Sequence, residues 1–243
     1  MSDSYQENLM EVTGPSARSL EILARALHVK NAELQPTLEA IVSSAVRMLS
    51  PALSAGLTIF TGGELIPRAC TGEAPLLLDR LQQALGDGPC ISAAKHQFIF
   101  RIEDTSQDER WPQFSAEAAR LNVHSMLCVP LWIDERSLGA LSLYADQVAA
   151  FSELHERVTI LLATFAALAL AEAQRAGQLR DALDNRDVIG QAKGILMERH
   201  GITADAAFGV LSQVSQAENV KLAEIACHVA ETGMLPGMSS PDL

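Results

Sequence analysis

Positive charge is scarce in this chain. Its 243 residues carry 18 Lys and Arg against 30 Asp and Glu, a formal net charge of −12. A surface of that sign repels polyanions and anionic lipids, which argues against non-specific binding to nucleic acid or to a membrane surface. Any contact with nucleic acid must therefore come from a local basic face.

Cysteine is scarce too, and its spacing does not fit a zinc site. The four cysteines, Cys70, Cys90, Cys128 and Cys227, form no Cys-x-x-Cys pair, and the six histidines are scattered. We expect free thiols in a reducing compartment and no metal. The chain also lacks a Walker loop and a Gly-x-Gly-x-x-Gly fingerprint, the usual phosphate-binding motifs. We therefore predict no metal site, no cofactor and no catalytic residue.

Long apolar runs are missing as well. The longest, Val158 to Ala171, has 14 residues, whereas a membrane-spanning helix needs about 20. The first ten residues, MSDSYQENLM, have neither the basic region nor the apolar run of a secretory signal. We therefore expect a cytoplasmic protein with no membrane partner.

Apolar residues are nevertheless plentiful at 48% of the chain, enough for a proper core. Between residues 15 and 150, helical and strand patterns alternate. This order predicts an α+β domain with a mainly antiparallel sheet. The helical patterns cover Ser16–His28, Leu34–Leu49 and Phe114–Leu121, and the strand patterns cover Leu57–Phe60, Leu65–Cys70, Phe98–Arg101, Met126–Trp132 and Leu138–Tyr144.

A long helix is predicted next, because no proline occurs between Glu153 and His200. Its apolar residues repeat in alternating steps of four and three, which is the spacing of a coiled-coil seam. The same residues would also suit a helix lying on the sheet of its own domain. We favour a seam between two chains, and hence a homodimer, with Gly177 as a candidate bend. The seam consists of Leu154, Val158, Leu161, Phe165 and Leu168.

The last fifth of the chain predicts a bundle of three short helices. Gly201 follows a last turn that carries cations, which is typical of a helix end. Thr203 and Asn219 are candidate N-caps for the next two helices, and Gly233 ends the third. Apolar stripes place Phe208, Leu211 and Met197 in the bundle core.

Three groups of residues in this bundle match a known pattern: Gln191 to Met197 (QAKGILM), then Ala206, Phe208 and Leu211, then Asn219, Lys221, Leu222 and Ala226. With them, the segment from Arg186 to Glu231 closely resembles the ANTAR domain, the RNA-binding output module of bacterial antitermination regulators. Many regulators of that family carry a further basic residue where this chain has Ser212. The resemblance implies binding to paired RNA hairpins in message leaders.

The RNA-binding residues follow from the few cations available. The segment from Gln178 to Leu243 has five Lys and Arg against nine Asp and Glu, so binding must use a local face. Arg186, Lys193 and Arg199 fall within about a third of a helix circumference. The predicted RNA-binding residues are Arg186, Gln191, Lys193, Arg199 and Lys221.

The first domain also carries a recognisable set of motifs: Gly86 to Cys90 (GDGPC), Glu103-Asp104, Arg110-Trp111-Pro112, Ser125 to Leu131 and Leu138 to Leu141. Together with the order of elements, they resemble a GAF domain, a small-molecule sensor fold. The Asn-Lys…Phe…Asp-Glu motif of cyclic-nucleotide-binding members is absent, so the cofactor-binding residues are unknown. Trp111 is expected to pack a loop against the sheet, although a place in a ligand pocket is left open.

These patterns predict a cytoplasmic RNA-binding antitermination regulator, with a GAF sensor that controls an ANTAR output domain. One alternative is a thiol enzyme similar to the GAF-like reductases of free methionine sulfoxide, using Cys70, Cys90 and Cys128. Another is a protein-interaction module that has lost RNA binding. The predicted organisation is a flexible N-terminus (1–14), the GAF domain (15–152), a linker helix (153–184), the ANTAR domain (185–233) and a tail (234–243).

Overall fold

The computed structural model describes residues 34–133 and 136–236. The predicted helix Ser16–His28, the N-terminal segment and most of the tail lie outside these ranges. The helices are α1 (Leu34–Met48), α2 (Ala74–Leu85), α3 (Pro89–His96), α4 (Pro112–Arg120), α5 (Glu153–His200), α6 (Ala204–Glu218) and α7 (Leu222–Thr232). The strands are β1 (Ser54–Thr61), β2 (Glu64–Cys70), β3 (Phe100–Ile102), β4 (Ser125–Ile133) and β5 (Arg136–Ala145).

The strands form one antiparallel sheet in the order β2-β1-β5-β4-β3. Gly62 and Gly63 join β1 to β2, and their φ values of 63° and 90° lie in the left-handed region that a tight hairpin turn requires. The predicted α+β class, with a mainly antiparallel sheet, is confirmed. The third strand lies slightly later than predicted, at Phe100–Ile102 rather than Phe98–Arg101.

Both faces of the sheet are covered by helices. Alternate residues of β5 point to opposite sides: Leu141 and Leu143 join one core, while Ala140 and Tyr144 join the other. The first core packs β1, β4 and β5 against α1 and the beginning of α5. The second core packs the opposite face against α2, α3 and α4.

Helices α2 and α3 were not predicted, although proline and glycine residues mark where they begin and where α2 ends. Pro75 and Pro89 stand in the first turns of α2 and α3, where a missing backbone N–H costs nothing. Gly86 ends α2 with a φ of 68°. The GDGPC motif is thus the turn that connects these two helices.

The long helix α5 runs through Gly177, the predicted bend, to His200. Its predicted seam divides between two environments. Val158 and Phe165 pack partly against the first core, whereas the three leucines that follow each other at seven-residue intervals stay exposed. These are Leu154 (59%), Leu161 (48%) and Leu168 (52%).

The opposite face of α5 is buried in the first core, through residues such as Leu162, Ala166 and Leu170, each at most 1% exposed. By length and composition alone, α5 is long and apolar enough to span a membrane, which the 14-residue run did not suggest. A core helix of a globular domain passes the same test, and this buried face gives α5 that role.

The chain divides near residue 173 into two compact units. The second unit contains the last part of α5 together with α6 and α7, around a core of Ala192, Leu196, Ala207, Leu211, Ile225, Ala226 and Val229. The predicted three-helix bundle is therefore present.

The helix ends of this second unit confirm most of the predicted stop and start signals. Gly201 and Gly233 have φ values of 62° and 72°, and Thr203 caps α6 by accepting a hydrogen bond from the backbone N–H of Ala206. Asn219 was predicted as an N-cap and this was wrong. It ends α6 in a left-handed conformation, and Lys221 begins α7 without a side-chain cap.

Candidate nucleic-acid interface and buried polar cluster

One stripe of the second unit collects the features expected of a nucleic-acid interface. Arg186, Gly190, Lys193 and Met197 follow each other on α5 at spacings of four, three and four residues, so they share a face of the helix. This stripe flanks the core positions Ala192 and Leu196. Arg186 is exposed and Met197 is 37% exposed.

Phe208 of α6 lies beside this stripe and corrects the prediction that it is a core residue. Its side chain is 43% exposed, because Ala207 and Leu211 occupy the buried positions of α6. The Lys193 ammonium lies 5.9 Å from the centre of the Phe208 ring, a cation–π contact between α5 and α6. Met197, also predicted to be core, is likewise partly exposed. A three-helix bundle buries only a narrow stripe of each helix.

We call Arg186, Gly190, Lys193, Met197 and Phe208 the basic-aromatic face. A Cβ atom added to Gly190 would meet no atom within 4 Å, so the helix backbone is open to a close partner there. Within residues 136–236, neither Arg186 nor Lys193 has a carboxylate within ion-pair distance. Their charge is therefore free to meet a phosphate.

The other predicted RNA-binding residues do not join this face. Gln191 lies on the opposite flank of α5, about 160° around the helix from Lys193. The Arg199 guanidinium donates a hydrogen bond to the backbone carbonyl of Gly233, at the end of α7. Arg199 therefore has a structural role in holding α5 to α7. Lys221 is exposed at the start of α7.

The first unit contains a second concentration of polar groups, in its interior. The Thr58 hydroxyl donates to the Asp79 carboxylate, and Asp79 in turn lies 3.4 Å from the Gln82 amide nitrogen. Gln82 accepts from the backbone N–H of Cys90 at 2.7 Å. We call Thr58, Asp79, Gln82, Cys90, Ser142 and Cys128 the buried polar cluster; it lies between the sheet and helices α2 and α3, and each member is at most 3% exposed.

Burial controls the acidity of this cluster. Desolvation raises the pKa of Asp79 to about 6, against the opposing effect of its hydrogen bonds from Thr58 and Cys90. The pKa of the Cys90 thiol is raised by a hydrogen bond with the Cys128 thiol and by burial. Burial also raises the pKa of Tyr144, whose hydroxyl has no hydrogen-bond partner in the described structure. The cluster therefore favours neutral forms.

Surface clefts of the first unit lie elsewhere, around Arg110. Its guanidinium pairs with Asp108 and stacks over Trp111, 4.8 Å from the ring centre. Trp111 is 8% exposed and its indole N–H donates to Asp87 at 3.2 Å. This agrees with the prediction that Trp111 packs a loop.

Metal binding finds no support in the described ranges. Within residues 34–133 and 136–236, no three His, Cys, Asp or Glu side chains come together as a metal site would require. None of the four cysteines is in a disulfide.

Comparison of the structure with solved structures shows what the first unit resembles. It is similar to the GAF domain of an Acinetobacter phosphoenolpyruvate-protein phosphotransferase, at 17% identity and a TM-score of 0.55 over 68% of this chain and 99% of that one. A free methionine-R-sulfoxide reductase from Neisseria meningitidis, solved with its substrate, is similar at 17% identity and a TM-score of 0.52, over 68% of this chain and 95% of that one. At such identities the likeness concerns the fold alone. No curated protein sequence matches the chain significantly.

Family models match both units. The GAF domain model matches residues 31–171, more than half of the chain, and the ANTAR domain model matches residues 177–229. The second match contains all five residues of the basic-aromatic face. The chain therefore belongs to the GAF domain family and carries a C-terminal ANTAR domain.

Proposed function

We propose that this protein is a cytoplasmic, homodimeric regulator that binds RNA hairpins in message leaders and promotes transcription antitermination. The observation that carries the proposal is the basic-aromatic face on the ANTAR domain. In this proposal the GAF domain (15–152) senses a signal, the linker helix (153–184) dimerises, and the ANTAR domain (185–233) binds RNA.

The chemistry of the face suits the loop of a hairpin. Unpaired bases stack on aromatic rings, and nearby cations neutralise the phosphates that follow. Phe208 offers a partly exposed ring, while Lys193 and Arg186 on the neighbouring helix offer charges that no carboxylate of the described residues pairs with. Arg199 contributes less, because its guanidinium is already engaged by Gly233.

Two copies of this face are needed for useful affinity, because one face has few cations and the whole chain is acidic. A dimer presents two faces to two hairpins, so the second contact becomes intramolecular. The exposed leucines Leu154, Leu161 and Leu168 of α5 suit such a contact between chains, because seven-residue spacing places them along one side of the helix.

In this proposal, sensing belongs to the GAF domain. A small molecule in the GAF domain is part of the proposal as a regulatory input. The surface clefts near Arg110 are lined by both acidic and basic side chains, including Glu103 and Arg101.

The proposal is tested by binding full-length protein to transcribed leader RNAs from its own genome, at several salt concentrations. Two or three cations per ANTAR domain in a dimer predict a slope of log affinity against log salt of about −3 to −4. Lys193→Ala should weaken binding and make that slope shallower by about 1.4, one phosphate per protomer.

Gln191→Ala is the matched control, since Gln191 is exposed on the same helix but on the opposite flank. Unchanged affinity and salt slope for Lys193→Ala would show that RNA binds elsewhere. If no leader RNA binds a folded dimer, the protein-interaction alternative takes first place.

A further inference from the structure

Two thiols of the buried polar cluster share a single hydroxyl group. Cys128 lies in the middle of β4 and pairs in register with Ser142 of β5, so both side chains point to the same face of the sheet. The Ser142 Oγ lies 3.2 Å from the Cys90 Sγ and 3.3 Å from the Cys128 Sγ. The Cys128 thiol is also the largest influence that raises the pKa of Cys90. Helix α3 thus holds the Cys90 sulfur against the same hydroxyl that the Cys128 sulfur contacts.

The other two cysteines have no such partner. Cys70 is half-buried at the end of β2, and Cys227 is exposed on α7 in the second unit. The shared contact with the Ser142 hydroxyl therefore distinguishes Cys90 and Cys128 from the other possible cysteine pairs. Their spacing of 38 residues along the sequence gave no indication of it.

We propose that Cys90 and Cys128 are a redox-active pair that closes into an intramolecular disulfide when a hydroperoxide is the oxidant. One thiolate attacks the peroxide oxygen, the O–O bond breaks, and a sulfenic acid and one water form. The second sulfur then attacks the first, the S–O bond breaks, and a second water leaves. Two thiols and one hydrogen peroxide give one disulfide and two waters; a dithiol reductant reverses the step.

The turn before α3 is the route by which the pair meets the oxidant. Gly86 and Asp87 are exposed, whereas Cys90, only a few residues later, is 1% exposed. The neighbouring Cys128 thiol and burial both raise the pKa of Cys90, so the reactive thiolate forms when this turn opens. A thiol that stays buried is unreactive, so the rate of oxidation should follow how often this turn opens.

Disulfide formation would also reorganise the buried polar cluster. Gln82 accepts from the Cys90 backbone N–H at 2.7 Å and its amide nitrogen lies 3.3 Å from the Cys90 Sγ. A Cβ atom on Gly88 would fall 2.3 Å from Gln82, so there is no spare room around this amide. Drawing Cys90 towards Cys128 therefore moves Gln82 and its neighbour Asp79, and so couples the state of the thiols to helix α2.

The test uses the full chain with Cys70 and Cys227 both replaced by Ser, so that only the pair remains and the core is untouched. Before oxidation, two thiols should titrate under denaturing conditions. After hydrogen peroxide treatment of the native protein, none should titrate, the mass should fall by two hydrogen atoms, and peptide mapping should join Cys90 to Cys128. A dithiol reductant should restore both thiols.

Cys90→Ser and Cys128→Ser in the wild-type background are the complementary variants, and neither should yield the linked peptide. Two thiols surviving peroxide, or a gain of oxygen atoms without a linked peptide, would overturn the proposal. A link that forms only after the protein is unfolded would overturn it as well, since the folded geometry is what the proposal rests on.

Discussion

Asp79 is a carboxylic acid in the interior of the GAF domain, and burial raises its pKa to about 6 from an ordinary value of 3.8. The folded protein therefore binds this proton more tightly than the unfolded chain. As pH rises from about 4 to above 6, the free energy of unfolding falls by an amount on the order of 3 kcal/mol from this group. Below pH 4 and well above pH 6, the contribution of Asp79 to the free energy of unfolding no longer changes with pH.

Asp79→Asn removes this titration while keeping an oxygen that accepts from Thr58. Between pH 4 and pH 7, the stability of Asp79→Asn relative to wild type should therefore rise, as measured by urea unfolding at each pH. Asp104→Asn is the control, because hydrogen bonds from Ser106 lower the pKa of that exposed carboxylate. A relative stability of Asp79→Asn that is flat with pH would show that Asp79 does not titrate as described.

Single residues were predictable where a local backbone rule decides them. Gly201, Gly233 and Thr203 end or begin helices as expected, because positive φ and N-capping depend on near neighbours in sequence. Phe208 and Asn219 were misassigned because their roles depend on which face the bundle buries and on where α6 ends. The cysteine pair has no sequence signal, because it forms across the fold.

The exposed leucines of α5 give a prediction at the level of a helix. Leu168→Glu places a charge in the proposed contact between chains, so the mass measured by light scattering at micromolar concentration should fall from dimer to monomer. Leu85→Glu on α2 is the control, because Leu85 is also exposed (40%) but lies outside the α5 stripe. A monomeric wild type would remove the dimer from the proposal.

Two substitutions on helix α6 should separate an effect on folding stability from an effect on RNA binding. Leu211 is fully buried, and Leu211→Ala should lower the free energy of unfolding of the second unit by roughly 2–5 kcal/mol. Phe208→Ala removes an exposed ring, so stability should change by less than about 1 kcal/mol while RNA affinity falls. Thermal unfolding and RNA titration of both variants measure the two effects. Equal loss of stability in both would place Phe208 in the core after all.

Elements were predictable in proportion to the strength of their own pattern. The strands of the β1–β2 and β4–β5 pairs and the bundle helices carried clear periodicity, and they are present. Helices α2 and α3 are short and meet at a glycine-rich turn, so Pro75 and Pro89 were not recognised as the starts of helices. The seam of α5 has an exposed part and a half-buried part because the helix packs on the sheet. A repeat within the helix sequence alone does not show which of its residues face the sheet.

For the whole molecule, the alternative of a thiol enzyme can be tested directly. We expect no thiol-dependent turnover of free methionine sulfoxide by the full chain, because Cys90 and Cys128 are each at most 1% exposed and an amino-acid substrate, unlike the much smaller hydrogen peroxide, needs an open pocket beside the thiol. NADPH consumption in a thioredoxin-coupled assay measures it. Robust turnover would move the enzyme alternative ahead of the regulator. If the regulator proposal is right, Cys90→Ser should bind RNA as tightly as the wild type.

The first core joins the two ends of its domain, and this has a consequence for synthesis on the ribosome. Leu38 of α1 and Leu162 of α5 belong to the same core, and about 120 residues separate them, which take on the order of 6 to 25 seconds to translate. Until α5 is made, the part of the first core that α5 covers stays exposed. The ANTAR core, by contrast, is assembled from neighbouring helices and closes soon after its last turn emerges. A released chain that ends before Leu162 would therefore be a substrate for chaperones, and one that ends just after Ala173 would not.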